Sequence, residues 1–405
     1  MMSPAVSART ISAAAIVALT LLVAAAVGAQ PQPDVRKDAV VLRLPGMEKV
    51  VVRPNLVFKT AGERRLAFDL YLPPGAPAKG ARLPLVVFAN GVGDFGEVPL
   101  KDWGVYVSWS RLVAASGMAA VVYNARPEAA VEDLRDLMPH LRAQAADLKI
   151  DPDDVCLWAS SANVHVVLPF ALDPANGFIK AAVFYYGQLD PAVFRADLPI
   201  FIARAGLDLG WMNNSIDAWS AKALAQNAPV TVANLPNGRH AFDAFDDNDA
   251  SRAVVRQTLA FMKESLSPGY QQALTERAGP VNALALRLRK EWPAAAEAAA
   301  AWVKDDPRSG WAKQVYGDAL YNLKRFTEAG ATYTQAGDMG TVPSITWYNA
   351  ACAYALAGDR DRAIDLLTRA VGTGYIPRDQ ARADPDFAGL KDDPRFAALL
   401  APSAP

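Results

Sequence analysis

The chain has 405 residues, of which 52% are hydrophobic and 20% are charged, and its formal net charge is −1. This length and apolar content predict a substantial core and either two domains or one domain with an appendage. A nearly neutral chain offers no overall charge that would attract nucleic acid or an anionic membrane, so we expect neither as a partner.

The first 29 residues have the pattern of an export signal. Arg9 precedes an apolar run over residues 11–27, and Val27-Gly28-Ala29 resembles a cleavage site. The run is about as short as a bilayer-spanning helix can be, so a membrane anchor is the weaker alternative. We therefore expect a periplasmic or secreted protein with no stable membrane anchor after cleavage, and a polar spacer over residues 30–39.

Strand-like and helix-like segments alternate over residues 40–268. Predicted strands cover residues 49–58, 65–72, 83–89, 118–123, 154–159, 179–186, 199–205 and 230–235, and predicted helices cover 108–116, 131–146 and 251–265. The run over 83–89 is almost unbroken in its apolar character, as expected of a central parallel strand covered on both faces. The pattern predicts an α/β fold with a mainly parallel sheet and helices on both faces.

One of these strands runs directly into a helix, with two serines at the turn. The register V-x-L-x-A-x-S-x-N places Ser161 at the nucleophile position of the G-x-S-x-G elbow motif, with Ala159 and Asn163 in place of the two glycines. Alanine is small, and asparagine tolerates unusual backbone angles, so both substitutions are compatible with an elbow. The alternative is an ordinary serine at a helix N-cap. Cys156 precedes the turn and is not expected to act as a nucleophile, nor to pair with Cys352.

An elbow serine requires an acid and then a histidine, in loops that follow later strands. Asp208 lies just past the predicted strand over 199–205, and His240 follows the last predicted strand. We therefore predict a triad of Ser161, Asp208 and His240, in which the imidazole is the base and the carboxylate orients it. Asp190, after the preceding strand, is a rival acid.

Two further features would complete such a site. Backbone N–H groups of Ala162, and of Gly91 or Val92 in the loop after the third strand, are candidate oxyanion donors; the glycines of that loop could instead simply make a turn. Four aromatic residues are candidates for the wall of a substrate pocket, or alternatively fasten a long loop to the core: Phe95, Trp103, Tyr106 and Trp109.

Residues 276–400 are helical in pattern and carry a period of 34 residues. Ala329, Tyr333 and Ala336 recur as Ala363, Leu367 and Ala370, and Gly317 recurs as Ala351. The period resembles that of tetratricopeptide repeats, with a generic helical bundle as the alternative. Such repeats stack and usually present a surface to a protein or peptide, so a partner of that kind is expected here.

Residues 40–268 resemble the α/β-hydrolases of the dienelactone-hydrolase-like group. The resemblance rests on Phe68-Asp69-Leu70-Tyr71-Leu72-Pro73-Pro74, Asn90-Gly91-Val92-Gly93, Ser108-Trp109-Ser110-Arg111-Leu112, Ala115-Ser116-Gly117, the elbow, Ala205-Gly206-Leu207-Asp208 and His240-Ala241-Phe242-Asp243. It implies an α/β-hydrolase fold and a serine hydrolase acting on a small ester or related acyl compound. Dienelactone hydrolases use a cysteine nucleophile where this chain has Ser161, so a lactone substrate is not implied.

Other functions remain open at this stage. The chain shows no metal-ligand spacing, phosphate-binding loop or dinucleotide fingerprint, so we expect no metal and no cofactor. A serine peptidase is one alternative. Another is a degenerate hydrolase that serves as a protein-binding scaffold through its repeats, which the two missing elbow glycines allow. The distance between His240 and Ser161 discriminates between scaffold and enzyme.

Overall fold

A computed structural model describes residues 34–75, 80–190 and 194–401. The predicted export signal lies outside the described residues. The chain divides into two compact units, the first ending at Gln272 and the second beginning at Ala273, with Ala225–Asn227 grouped with the second. None of the described helices is long and apolar enough to cross a membrane.

Eight strands form a single sheet in the first unit. They are β1 (Val51–Ala61), β2 (Arg64–Leu72), β3 (Leu83–Phe88), β4 (Ala119–Tyr123), β5 (Ile150–Ser160), β6 (Ile179–Tyr185), β7 (Ile200–Ala205) and β8 (Val230–Leu235). Their order in the sheet is β1-β2-β4-β3-β5-β6-β7-β8. The β1–β2 and β2–β4 pairs are antiparallel and every other pair is parallel. The carboxyl ends of the parallel strands therefore meet at one edge of the sheet.

Helices cover both faces of this sheet. They are α1 (Gly104–Ala115), α2 (Ala130–Ala143), α3 (Ala145–Leu148), α4 (Ala162–Leu172), α5 (Gly210–Ala225), α6 (Phe242–Phe245) and α7 (Asp249–Ser265), with 3-10 turns at Met47–Lys49, Leu100–Asp102 and Pro174–Asn176. Alternate residues of a strand face opposite sides. Leu85 and Val87 of β3 accordingly join a core with α2, α4 and α5, while Val86 and Phe88 join a second core with α1 and α7. The predicted α/β architecture is confirmed.

Three local features differ from the predicted pattern. The backbone carbonyl of Arg36, in the predicted spacer, accepts a hydrogen bond from the N–H of Gly104 at 2.8 Å, so this segment packs against the start of α1. The single helix expected over residues 131–146 is two helices, because the chain breaks helical geometry at Gln144. Helix α5 was not predicted.

The second unit is helical throughout. Its helices are α8 (Pro268–Leu288), which contains the boundary between the units, α9 (Trp292–Asp305), α10 (Gly310–Asn322), α11 (Phe326–Asp338), α12 (Pro343–Leu356), α13 (Arg360–Gly372), α14 (Arg378–Ala383) and α15 (Pro394–Leu399), with a 3-10 helix at Pro385–Leu390. The recurring small residues lie at helix contacts. A Cβ on Gly317 would stand 2.7 Å from the ring of Tyr333, and Ala351 is fully buried. Close helix packing thus accounts for the period, and the tetratricopeptide assignment stays a prediction.

A buried ion pair in the first unit allows a test of its stability. Asp133 on α2 is fully buried and binds Arg126 at 2.7 Å and Lys59 at 2.9 Å. Asp133→Asn removes the carboxylate that is hydrogen-bonded to Arg126 and one of the two that are hydrogen-bonded to Lys59, so we expect the free energy of unfolding to fall by about 3 kcal/mol in chemical denaturation. Asp136→Asn is the matched control, because that carboxylate contacts the same lysine but is 47% exposed, and we expect a loss below about 1 kcal/mol. Equal losses in the two variants would contradict this account.

Candidate active site

Ser161 occupies a strained turn between β5 and α4. Its backbone angles are φ 53° and ψ −131°, a combination that costs a non-glycine residue about 1–3 kcal/mol. The turn is held because the Ser161 N–H donates to the carbonyl of Tyr185 at 3.0 Å and its own carbonyl accepts from Val164 at 3.1 Å. Ser161 stands at the N-cap position, but its hydroxyl makes no capping hydrogen bond. The ordinary N-cap interpretation therefore does not describe this side chain.

The hydroxyl of Ser161 is hydrogen-bonded to a histidine instead. Its Oγ lies 2.9 Å from Nε2 of His240, and Nδ1 of the same imidazole lies 2.6 Å from Oδ2 of Asp208. The Asp208 side chain is only 3% exposed, whereas that of His240 is 28% exposed. The structure thus brings the three predicted residues into one continuous hydrogen-bonded chain. The serine and the imidazole, at one end of this hydrogen-bonded chain, are partly exposed to solvent.

The loops after β7 and β8 must approach closely to place the acid beside the base. Gly206 makes this possible, because a Cβ at this position would stand 2.2 Å from the carbonyl oxygen of Pro236. The Gly206 N–H donates to Leu235 at 2.8 Å, and the Leu207 N–H donates to Gly238 at 2.9 Å. These bonds join the two loops, so Asp208 and His240, which follow them in the chain, lie within reach of each other.

The rival acid is engaged elsewhere. Asp190 is hydrogen-bonded to Nδ1 of His165, and both side chains are about half exposed. Its other carboxylate oxygen accepts from Gln188 at 3.1 Å. Cys156 is fully buried, and burial raises the pKa of its thiol well above the usual range. Neither residue takes part in the chain that includes Ser161.

Of the predicted oxyanion donors, one is already bonded. Ala162 is the first residue of α4, where backbone N–H groups have no partner within the helix. The Val92 N–H, in contrast, donates to Oδ1 of Asn163 at 3.1 Å. Gly91 packs so tightly on α4 that a Cβ there would stand 2.7 Å from Val167. The structure therefore corrects the expectation for Val92 and leaves Ala162 and Gly91 as candidates.

Asn163 has a role that the sequence did not reveal. Its side chain is buried, and besides accepting from Val92 it donates through Nδ2 to the hydroxyl of Tyr106 at 3.2 Å. That hydroxyl in turn lies 3.3 Å from Oγ of Ser160. The residue that replaces the second motif glycine thus ties the β3 loop to α4 and α1. The one feature of the sequence that points to this role is a polar amide at a position where the motif needs only a small residue.

The four aromatic residues predicted to line a pocket separate into two groups. Phe95 is 41% exposed and Trp103 is half-buried, with its indole N–H donated to the carbonyl of Val98 at 3.0 Å. Tyr106 and Trp109 are buried in the core beneath the elbow. The prediction of a pocket wall is therefore wrong for Trp109, because its surface is fully enclosed, and Tyr106 contacts the elbow from the core side.

One group of potential metal ligands lies in the second unit. Cys352, Asp384 and Asp386 have ligand atoms within 4.8 Å of one another, and this is the one such group among the described residues. Both carboxylates already accept hydrogen bonds from tyrosine hydroxyls, those of Tyr348 and Tyr321. Burial raises the pKa of the Cys352 thiol well above its usual range. These carboxylates and the protonated thiol thus take part in contacts within the second unit that need no metal ion.

Comparison with known proteins adds little to this geometry. The sequence matches no family profile and no curated protein. Solved structures similar to this chain include the esterase LipW from Mycobacterium marinum, with 15% identity, a TM-score of 0.44 and coverage of 54% of this chain and 83% of that one. A bacterial heroin esterase is similar at 13% identity and a TM-score of 0.45, covering 56% and 87% of the two chains.

A third similar structure is the thermostable carboxylesterase EstE1, cloned from a metagenomic library, at 16% identity and a TM-score of 0.44, covering 56% of this chain and 92% of that one. At such low identities and TM-scores these likenesses carry no argument about activity. The dienelactone-hydrolase-like subgroup remains a prediction.

The Asn163 contacts generate a testable expectation. Asn163→Ala leaves the Val92 N–H and the Tyr106 hydroxyl without this partner, so we expect the protein to lose about 1–3 kcal/mol of stability. Amide hydrogen exchange over residues 90–94 should also become faster. Asn234→Ala is the control, since Asn234 is exposed and its side chain accepts a hydrogen bond from the side chain of Arg204, and it should leave both measurements nearly unchanged. Unaltered exchange over 90–94 in Asn163→Ala would show that this side chain does not hold the loop.

Proposed function

We propose that this protein is a serine hydrolase that cleaves a small ester or related acyl compound. The observation that carries the proposal is the unbroken hydrogen-bonded chain from Asp208 through His240 to the hydroxyl of a strained Ser161. A serine in an ordinary loop would have neither the backbone strain nor the imidazole. The geometry favours an enzyme over a degenerate scaffold, because the base lies at hydrogen-bonding distance from the nucleophile.

The roles follow from the positions of the atoms. Oγ of Ser161 attacks the acyl carbon while Nε2 of His240 takes the hydroxyl proton. The negative charge on the tetrahedral oxygen is stabilised by the Ala162 N–H and a second donor from the β3 loop. The imidazolium then gives its proton to the leaving alcohol, which produces an acyl-enzyme. Water, deprotonated by the same imidazole, releases the acid and restores the serine. Asp208 holds the Nδ1–H tautomer throughout.

The surroundings of the site support a small substrate. Residues 186–199 connect β6 and β7, which is too short a stretch of sequence for a large lid inserted at this point. Ser161 and His240 are partly exposed. A compact acyl compound needs no further enclosure to reach Oγ, so an ester of modest size fits better than a folded polypeptide. A serine peptidase would use the same triad and remains the alternative within this class.

Two further parts of the proposal concern the rest of the chain. The apolar run near the N-terminus supports export to the periplasm or out of the cell. The period of 34 residues in the second unit supports a surface for a protein or peptide partner.

The first test is labelling with a fluorophosphonate probe, followed by turnover of a short-chain p-nitrophenyl ester. We expect the wild-type protein to do both and Ser161→Ala to do neither, because the probe reacts with an activated serine hydroxyl. Ser160→Ala is the matched control, since that neighbouring hydroxyl is buried against Tyr106, and it should still label. A folded wild-type protein that neither labels nor turns over ester would refute the proposal.

A second test distinguishes the two candidate acids. Asp208→Asn should lower kcat by about 10⁴, because the amide no longer favours the Nδ1–H tautomer of His240. Asp190→Asn should leave kcat within about twofold, because Asp190 is bonded to His165 on the surface. Circular dichroism checks that both variants are folded. A large loss of kcat in Asp190→Asn would reverse the assignment of the acid.

A further inference from the structure

A second carboxylate lies close to His240 and is not used by the mechanism above. Asp243 is fully buried, and both of its carboxylate oxygens are hydrogen-bonded. Oδ2 accepts from the indole N–H of Trp109 at 2.7 Å, and Oδ1 accepts from the hydroxyl of Tyr186 at 2.6 Å. A buried carboxylate is costly even when hydrogen-bonded, and burial raises the pKa of Asp243. Its presence beside the site therefore calls for a specific role.

Tyr186 connects this carboxylate to the imidazole. It follows the last residue of β6 and has φ 33°, an angle that a non-glycine residue rarely adopts. Its ring lies against the ring of His240, with centroids 4.7 Å apart and planes inclined by 58°. Its hydroxyl is at the same time bonded to Asp243. The phenol thus contacts the imidazole through its ring and the buried carboxylate through its hydroxyl.

The other contacts of Asp243 keep it in place. Its backbone carbonyl accepts from the Val41 N–H at 2.7 Å. Trp109, which holds the second oxygen, is fully enclosed on α1. The carboxylate is therefore fixed from two other parts of the fold and can serve as a rigid anchor for the Tyr186 hydroxyl.

We propose that Asp243 is a positioning residue for His240 and acts through Tyr186. The carboxylate holds the phenol ring against the imidazole, so the ring keeps the orientation in which Nδ1 faces Asp208 and Nε2 faces Ser161. This inference rests on the proposed hydrolase function. It means that the segment His240-Ala241-Phe242-Asp243 supplies both the base and a residue that positions it. A displacement of about 1 Å in a catalytic group can reduce the rate by about 10².

The test is a kinetic double-mutant cycle with a spectroscopic readout. Tyr186→Phe keeps the ring but loses the hydroxyl, and we expect kcat to fall about tenfold with KM within about twofold. In the Tyr186→Phe background, Asp243→Asn should cause no further loss of kcat, because the two residues act through one hydrogen bond. The matched control is Tyr333→Phe in the second unit, which removes a buried tyrosine hydroxyl that likewise donates to an aspartate, Asp318, at 2.7 Å and should leave kcat unchanged.

The proton on Nδ1 of His240 provides a readout that does not depend on turnover. In proton NMR its downfield signal, assigned with His240→Gln, should be sharp in the wild type and in Tyr333→Phe and broadened in Tyr186→Phe. A kcat within twofold of wild type together with an unchanged signal in Tyr186→Phe would overturn the proposal. So would an Asp243→Asn loss that is the same in both backgrounds. If the wild type neither labels nor turns over ester, the proposed function fails, while a signal that is sharp in the wild type and broadened in Tyr186→Phe still supports the positioning role.

Discussion

The backbone of Ser161 is held in a conformation that costs free energy, and the central part of the first unit supplies what holds it. β5 lies between β3 and β6, and its pairing extends to Trp158 on the β3 side and to Ser160, directly before the turn, on the β6 side. The carbonyl of Tyr185 fastens the Ser161 N–H. A strained residue persists only where its surroundings over-determine it. Here that support comes from β5, which is paired on both sides, and from the helix that follows it.

The parallel sheet also explains how distant parts of the chain meet at this serine. Ser161 and His240 are 79 residues apart, and His240 and Asp208 are 32 residues apart. Each follows a strand whose carboxyl end lies at the same edge of the sheet. No single loop has to span the site. The register of β7 and β8, together with the close approach at Gly206, then sets the distance between acid and base.

Much of this arrangement could be predicted, because it depends on patterns that a sequence displays. Buried parallel strands such as β3 are apolar runs, and the order serine, acid, histidine follows the order of the strands. Helix α5 has no clear sequence pattern, because its apolar residues are not confined to one face: Trp211 and Leu224 are exposed while Trp219 is buried. The burial of Trp109 could not be predicted either. Whether an aromatic side chain faces a pocket or the core depends on tertiary packing that no local pattern records.

The two residues that replace the motif glycines also have roles that depend on tertiary packing. Ala159 is fully buried in β5, so its position requires a small residue and not glycine's conformational freedom. Asn163 meets a different requirement. Its side chain accepts a hydrogen bond from the β3 loop and donates one to Tyr106 on α1, and so holds that loop in place. The motif's glycines therefore express two separate constraints, space at one position and loop support at the other. A sequence that satisfies each constraint by other means departs from the motif while retaining the turn that the motif describes.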